Sequence, residues 1–134
     1  MSAEFVGDYN LVTSEGFEDF LKALGVGIML RKTAGALKPS FQVSKSDDGT
    51  FTFKSVSTFK TSEFQFKLGE EFEEKRLDGI ICKSVITQDG NKLIQEQKSD
   101  PPATIVREFN GDDLKIVCTC KDAVATRLYK KVTK

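Results

Sequence analysis

The chain has 134 residues, 39% of them hydrophobic, with 20 Lys and Arg against 20 Asp and Glu. That is enough for one domain with a sizeable core, and the balanced charge gives no overall field to draw in nucleic acid. No stretch has the length and apolar character of a membrane span.

The N-terminus, Met1-Ser2-Ala3-Glu4-Phe5, runs directly into structured-looking sequence without the features of a secretory signal. The cytosol is therefore the default expectation. From Ser14 onward, Phe17, Phe20, Leu21 and Leu24 fall at i, i+3, i+4 and i+7, which predicts an amphipathic helix with one buried stripe. Gly25-Val26-Gly27 interrupts it, and a second short helix is expected from Val26 to Ala36, stopped ahead of Pro39.

From there the period changes. Asp47-Asp48-Gly49, Leu68-Gly69, Asp78-Gly79, Asp89-Gly90-Asn91 and Asn110-Gly111-Asp112 recur at roughly ten-residue intervals or multiples of them, the spacing of an antiparallel meander. Phe64, Phe66 and Leu68 alternate with Glu63, Gln65 and Lys67, and Leu114, Ile116, Cys118 and Cys120 with Lys115, Val117, Thr119 and Lys121. Each strand thus has one apolar and one wet face. So many consecutive strands form either a two-sheet sandwich or a barrel that removes its own edges. The acidic run Glu70, Glu71, Glu73, Glu74 is expected on an exposed strand face. Cys82, Cys118 and Cys120 are an odd count, and the last two stand about 7 Å apart on one strand, poor disulfide geometry, so free thiols are expected. Cys118-Thr119-Cys120 lacks the further ligands a zinc site needs.

Near the C-terminus, Arg127 and Tyr129 share a strand face at i and i+2, with Arg107 about one hairpin upstream. Two guanidiniums and a phenol can clamp one carboxylate. The alternative is that all three face solvent. Alternation alone places Val124, Thr126 and Leu128 inward and Arg127 and Tyr129 outward. Arg107 shares its face with Ala103, Ile105 and Phe109.

Gly7-Asp8-Tyr9-Asn10-Leu11 followed by Gly16-Phe17-Glu18-Asp19-Phe20-Leu21-Lys22-Ala23-Leu24 fits the N-terminal signature of the intracellular lipid-binding proteins, the cytosolic fatty-acid-binding and retinoid-binding proteins. Further similar segments are Gly25-Val26-Gly27, Ser57-Thr58-Phe59-Lys60, Phe66-Lys67-Leu68-Gly69-Glu70-Glu71-Phe72, Gly90-Asn91-Lys92-Leu93, Val106-Arg107-Glu108 and Ala125-Thr126-Arg127-Leu128-Tyr129. The resemblance spans the chain and is strongest to the muscle, myelin and adipocyte subgroup. Tyr9 departs from it, standing where the family usually has Trp, and the stretch before Arg107 is a residue shorter than usual.

The resemblance implies an all-β fold: one lipid-binding domain over residues 1–134, a flattened ten-stranded antiparallel up-and-down β-barrel capped by a helix-turn-helix between the first two strands. It turns Arg127 and Tyr129 inward, against the alternation. It implies a non-enzymatic carrier of one long-chain fatty acid, with the carboxylate on Arg107, Arg127 and Tyr129. The tail would lie against Phe17, Phe20, Leu24, Val26, Ala34, Pro39, Phe41, Ser55, Phe59, Phe64, Ile105, Ile116 and Cys118. Phe59 and the turn at Leu77 and Asp78 would form the entrance, beside a helix hairpin taken as the only interruption of the strand ladder. A retinoic-acid carrier uses the same clamp and is the alternative. A lipid-acting enzyme is the remote one, because a chain without His cannot build a Ser-His or Cys-His pair. Lys22, Arg31 and Lys32 are either a solvated helix face or a surface for anionic membranes or nuclear import. A monomer without cofactor or metal, cytoplasmic with nuclear entry as an option, completes the expectation.

Overall fold

The computed structural model describes residues 5–76 and 78–132. Strand β1 (Gly7–Glu15) is followed by helices α1 (Phe17–Leu24) and α2 (Ile28–Ala36). Nine strands complete the chain: β2 (Ser40–Lys45), β3 (Phe51–Val56), β4 (Thr61–Phe66), β5 (Phe72–Lys75), β6 (Ile81–Asp89), β7 (Lys92–Lys98), β8 (Ala103–Asn110), β9 (Asp113–Cys120) and β10 (Ala123–Lys131). The ten strands form one antiparallel sheet in the order β4-β3-β2-β1-β10-β9-β8-β7-β6-β5. The pairing of β1 with β10 bends this sheet into a nearly closed barrel, with the helices as its cap.

The sheet order reveals a break that the sequence does not. Strands β4 and β5 are consecutive in the chain yet stand at opposite ends of the hydrogen-bonded order, so the helix hairpin is not the ladder's only interruption. Rings fill this seam. Phe64 and Phe66 of β4 stack on Phe72 of β5 at 5.2 and 5.6 Å between centroids. Side-chain contact there replaces the backbone bonds that close the rest of the barrel.

One end is packed solid. Phe5, Tyr9, Phe51, Leu93, Phe109 and Leu114 are at most 5% exposed. The Tyr9 hydroxyl donates to the Phe5 carbonyl at 3.2 Å, giving the buried phenol the partner it needs.

The cap is held by its first helix. Phe20, Leu21 and Leu24 of α1 are buried, as their spacing predicts, whereas Ala34 is the buried residue of α2. Helix α1 begins at Gly16 (φ 76°), where a Cβ would stand 2.5 Å from the Val124 carbonyl oxygen of β10. It ends at Gly25 (φ 98°), whose N–H caps the carbonyls of Leu21 and Lys22. Helix α2 starts at Ile28, two residues later than expected, because Val26 and Gly27 form the link and Gly27 is extended. No helix among the described residues is long and apolar enough to cross a membrane.

The facing of β10 overturns the alternation. Ala125, Arg127 and Tyr129 are buried, while Val124 and Leu128 are 56% and 43% exposed. The register explains it: Ala125, Arg127 and Tyr129 pair with Cys118, Ile116 and Leu114, the inward set of β9. Residues paired across neighbouring strands share a face, so the regular strand dictates the facing of its ambiguous neighbour.

Candidate functional site in the barrel interior

Between the cap and the packed end lies a cavity of about 520 Å³, within the size range of small-molecule sites. Phe17, Phe20, Leu24, Val26, Ala34, Pro39, Phe41, Ser55, Phe59, Phe64, Asp78, Ile105, Arg107, Ile116, Cys118, Arg127 and Tyr129 all line it. These are the residues the sequence nominates, apart from Leu77, which lies outside the described residues. The lining also includes Phe53, Glu74, Arg76 and Gln97, which the sequence reading passed over.

Arg107 and Arg127 owe their proximity to register. Each pairs with Ile116, so the two arginines and Ile116 form one row across β8, β9 and β10. Strand spacing puts the two backbones roughly 10 Å apart on the same inward face, close enough for long side chains to converge. Tyr129 sits one inward position further along β10. Arg107 and Arg127 are 7% and 5% exposed, and neither has a carboxylate within ion-pair distance among the described residues.

Neutral groups accommodate these cations instead. The Arg107 Nη1 donates to Gln95 Oε1 at 2.7 Å, and its guanidinium lies 4.7 Å from the Phe53 ring centroid and 5.6 Å from that of Phe41. Its Nε–H has no hydrogen-bond partner among the described residues. Arg127 lies 3.8 Å from the ring centroid of Phe17 on α1. Ring faces attract cations but compensate only part of the cost of removing an ion from water. Burial lowers the pKa of Arg107, opposed by the charge of Glu74. Burial also pushes the Cys118 thiol up to about 11, against the pull of Arg107 and Arg127, so it is neutral at physiological pH. All three cysteines are free and buried.

Glu74 corrects the expectation for the acidic run. It follows Phe72 by two on β5 and shares its inward face, and its Oε1 accepts from Ser84 Oγ at 3.0 Å, Gln95 Nε2 at 2.6 Å and Gln97 Nε2 at 3.1 Å. The spacing from Phe72 was a signal in the sequence that the uniform charge of the run concealed. Beyond it, Arg76 and Asp78 form a bidentate pair, Nε to Oδ1 at 3.2 Å and Nη2 to Oδ2 at 2.5 Å, with side chains 6% and 11% exposed. Burial opposes the Asp78 charge, but hydrogen bonds from Arg76 and the Ile80 N–H hold its carboxyl below the usual range. Phe59, by contrast, is 50% exposed at the rim.

The cap cations are partly committed to their own hairpin. Lys32 pairs with Glu18 at 3.1 Å and Arg31 donates to the Val26 carbonyl at 3.1 Å, while Lys22 is exposed. Among the described residues no group of three or more His, Cys, Asp or Glu is placed to hold a metal.

An up-and-down barrel enclosing a cavity with cationic side chains and an apolar lining defines a binding protein for amphipathic small molecules. The model of the Lipocalin / cytosolic fatty-acid binding protein family matches residues 6–132, and the chain belongs to that family. It is 47% identical to the muscle fatty acid-binding protein of Schistocerca gregaria, covering 97% of this chain and 98% of that one. Among solved structures, the fatty acid-binding protein from Drosophila melanogaster brain tissue is 49% identical, with a TM-score of 0.89 over 94% of this chain and 98% of the other. A Schistosoma mansoni fatty acid binding protein in complex with arachidonic acid is 34% identical, with a TM-score of 0.93 over 98% of each chain.

Proposed function

We propose that this protein is a non-enzymatic carrier that holds one long-chain fatty acid inside the barrel. The observation that carries the reading is the row of two buried guanidiniums with no protein carboxylate beside either. Each such ion costs several kcal/mol to bury without an anion. A ligand carboxylate accepts from Arg127 and the Tyr129 hydroxyl, and from Arg107 directly or through water. The naming of the relatives as fatty acid-binding proteins, one solved with arachidonic acid, supports this choice of anion.

The tail follows the aromatic and aliphatic lining from Ile116 and Phe41 toward Phe20, Leu24 and Phe59. Transfer of ~15 methylenes at ~0.8 kcal/mol each gives on the order of 12 kcal/mol before association and ordering costs, consistent with micromolar affinity or tighter. Nothing in the reading requires a chemical step on the ligand.

Displacement of a fluorescent fatty acid by oleate and by retinoic acid tests the proposal. Oleate is expected to displace far better. The opposite order would assign the clamp to a retinoid carrier, and failure of both would remove lipid carriage from the protein.

A further inference from the structure

We infer that the cavity contains a second polar subsite, on the β5 to β7 wall, that recognises a hydroxyl on the middle of the acyl chain, so that the protein favours hydroxylated long-chain fatty acids. The inference rests on the carboxylate-clamp reading above and adds a specificity to it.

The subsite follows from how one carboxylate orients two amides. Glu74 Oε1 accepts from the Nε2 of both Gln95 and Gln97. A carboxylate can only accept, so both amides must turn their N–H groups toward it and their carbonyl oxygens away. The Gln95 Oε1 then meets the Arg107 Nη1 at 2.7 Å. The Gln97 Oε1 meets nothing: among the described residues this buried acceptor has no hydrogen-bond partner. Gln97 is 5% exposed and lines the cavity. It cannot flip to relieve the orphan without turning its carbonyl oxygen against the Glu74 carboxylate.

Its neighbours shape what can reach it. Gln97 pairs across the sheet with Ala103 on β8 and Ser84 on β6, the two smallest side chains on that stretch of wall, so space opens in front of the amide. The Glu74 Oε2 also lines this region without a protein hydrogen bond among the described residues, making the wall rich in acceptors and poor in donors. A neutral donor fits better than an ammonium, because Glu74 already faces the Arg107 cation through Gln95. Gln97 stands two residues, about 7 Å, along β7 from the Gln95 that touches the clamp. A group reaching it therefore belongs to the middle of a chain whose carboxylate sits at Arg107 and Arg127, not to the carbon beside that carboxylate. Sites built around a buried hydrogen-bonding group discriminate strongly against analogues that leave it unpaired.

The test is a set of dissociation constants, by displacement or calorimetry, for stearate, 10-hydroxystearate, 10-methoxystearate and 2-hydroxystearate with the unaltered protein. 10-Hydroxystearate is expected to bind about five- to tenfold tighter than 10-methoxystearate, which keeps the oxygen but cannot donate, and tighter than 2-hydroxystearate. Gln97→Leu should erase that preference while leaving stearate affinity unchanged or improved. Stearate binding with no advantage of the hydroxyl over the methyl ether would overturn the subsite and leave the carrier reading standing. Absence of binding by all four acids would overturn both. A preference that survives in Gln97→Leu would place the hydroxyl elsewhere and also overturn the subsite.

Discussion

Two kinds of buried arginine face the same cavity, and they differ in what lies opposite. Arg76 has its own carboxylate, Asp78, two residues away on a tight turn and gripped at both ends of the fork. Arg107 and Arg127 have an amide and ring faces, groups that shelter a cation without neutralising it. An arginine whose counter-charge is built into the fold is a structural tie, here joining the β5 to β6 turn beside the cavity mouth. Arginines buried without one keep their capacity for an anion that arrives with the ligand. Exposure does not separate the two kinds, since all three are under 8%.

The sharpest way to break this comparison is to remove partners one at a time. Asp78→Ala strands Arg76 and should destabilise the empty protein by about 3 kcal/mol, the low end for breaking a buried pair. Arg127→Ala removes a cation that lacked a partner and should leave the empty protein unchanged or slightly more stable. Urea unfolding of both variants checks this, and equal destabilisation would dissolve the distinction. The pH dependence has a definite sign. The Asp78 carboxyl lies below its ordinary pKa when folded, so its contribution is full above the ordinary carboxylate range and fades as pH falls through that range to the lower folded value. Asp78→Asn should flatten stability across that acid window.

In binding, the order reverses. Arg127→Ala should weaken a fatty acid by about 1.5–3 kcal/mol, the scale of a charge-assisted hydrogen bond, and leave the matching fatty alcohol nearly unaffected. Asp78→Ala, once folded, should affect acid and alcohol alike. Isothermal titration with an acid and its alcohol separates the cases, and equal losses of both in Arg127→Ala would take the clamp out of the mechanism.

How much of this contrast was legible in the sequence depends on what fixes each residue's facing. The α1 stripe and the β9 alternation are local periodicities, and both appear in the structure as they read. On β10 local alternation fails: Val124 and Leu128 are apolar and outside, Arg127 and Tyr129 polar and inside, the reverse of what burial energetics alone would choose. Only the register with β9, or likeness to known proteins, turns that strand the right way. On β5, Phe72, Glu74 and Arg76 share one side, but four residues are too few for a period to assert itself against a run of charges. The seam between β4 and β5 has no local signature, because it is a pairing that does not form.

That seam and the cap define where the cavity should open. Helix α2 buries Ala34 and exposes Ile28 and Met29 at 58% and 82%, so little packing holds it down. Amide exchange should be fastest in α2 and near Phe59 and should slow when a fatty acid binds, whereas β8, β9 and β10, paired on both sides, should exchange slowest. Exchange in α2 as slow as in β9 would move the opening elsewhere.

The smallest effect expected concerns the rim. Phe59 lines the cavity yet is half exposed, on the β3 to β4 turn beside the seam. The turn itself is tied by Ser57, whose hydroxyl donates to the Lys60 carbonyl at 2.9 Å and accepts from the Lys60 N–H at 3.1 Å. Truncating the ring therefore alters the passage while leaving the turn's own bonds in place. A group at the mouth meets the tail in transit more than at rest, while the guanidinium row and the apolar lining set the depth of the bound state. Phe59→Ala should raise association and dissociation rates together, by a few-fold, and move the equilibrium constant much less. Stopped-flow mixing with a fluorescent fatty acid reads both rates. If affinity falls while the rates of entry are untouched, Phe59 belongs to the bound-state contacts, and the mouth must be sought along the seam between Phe64 and Phe72.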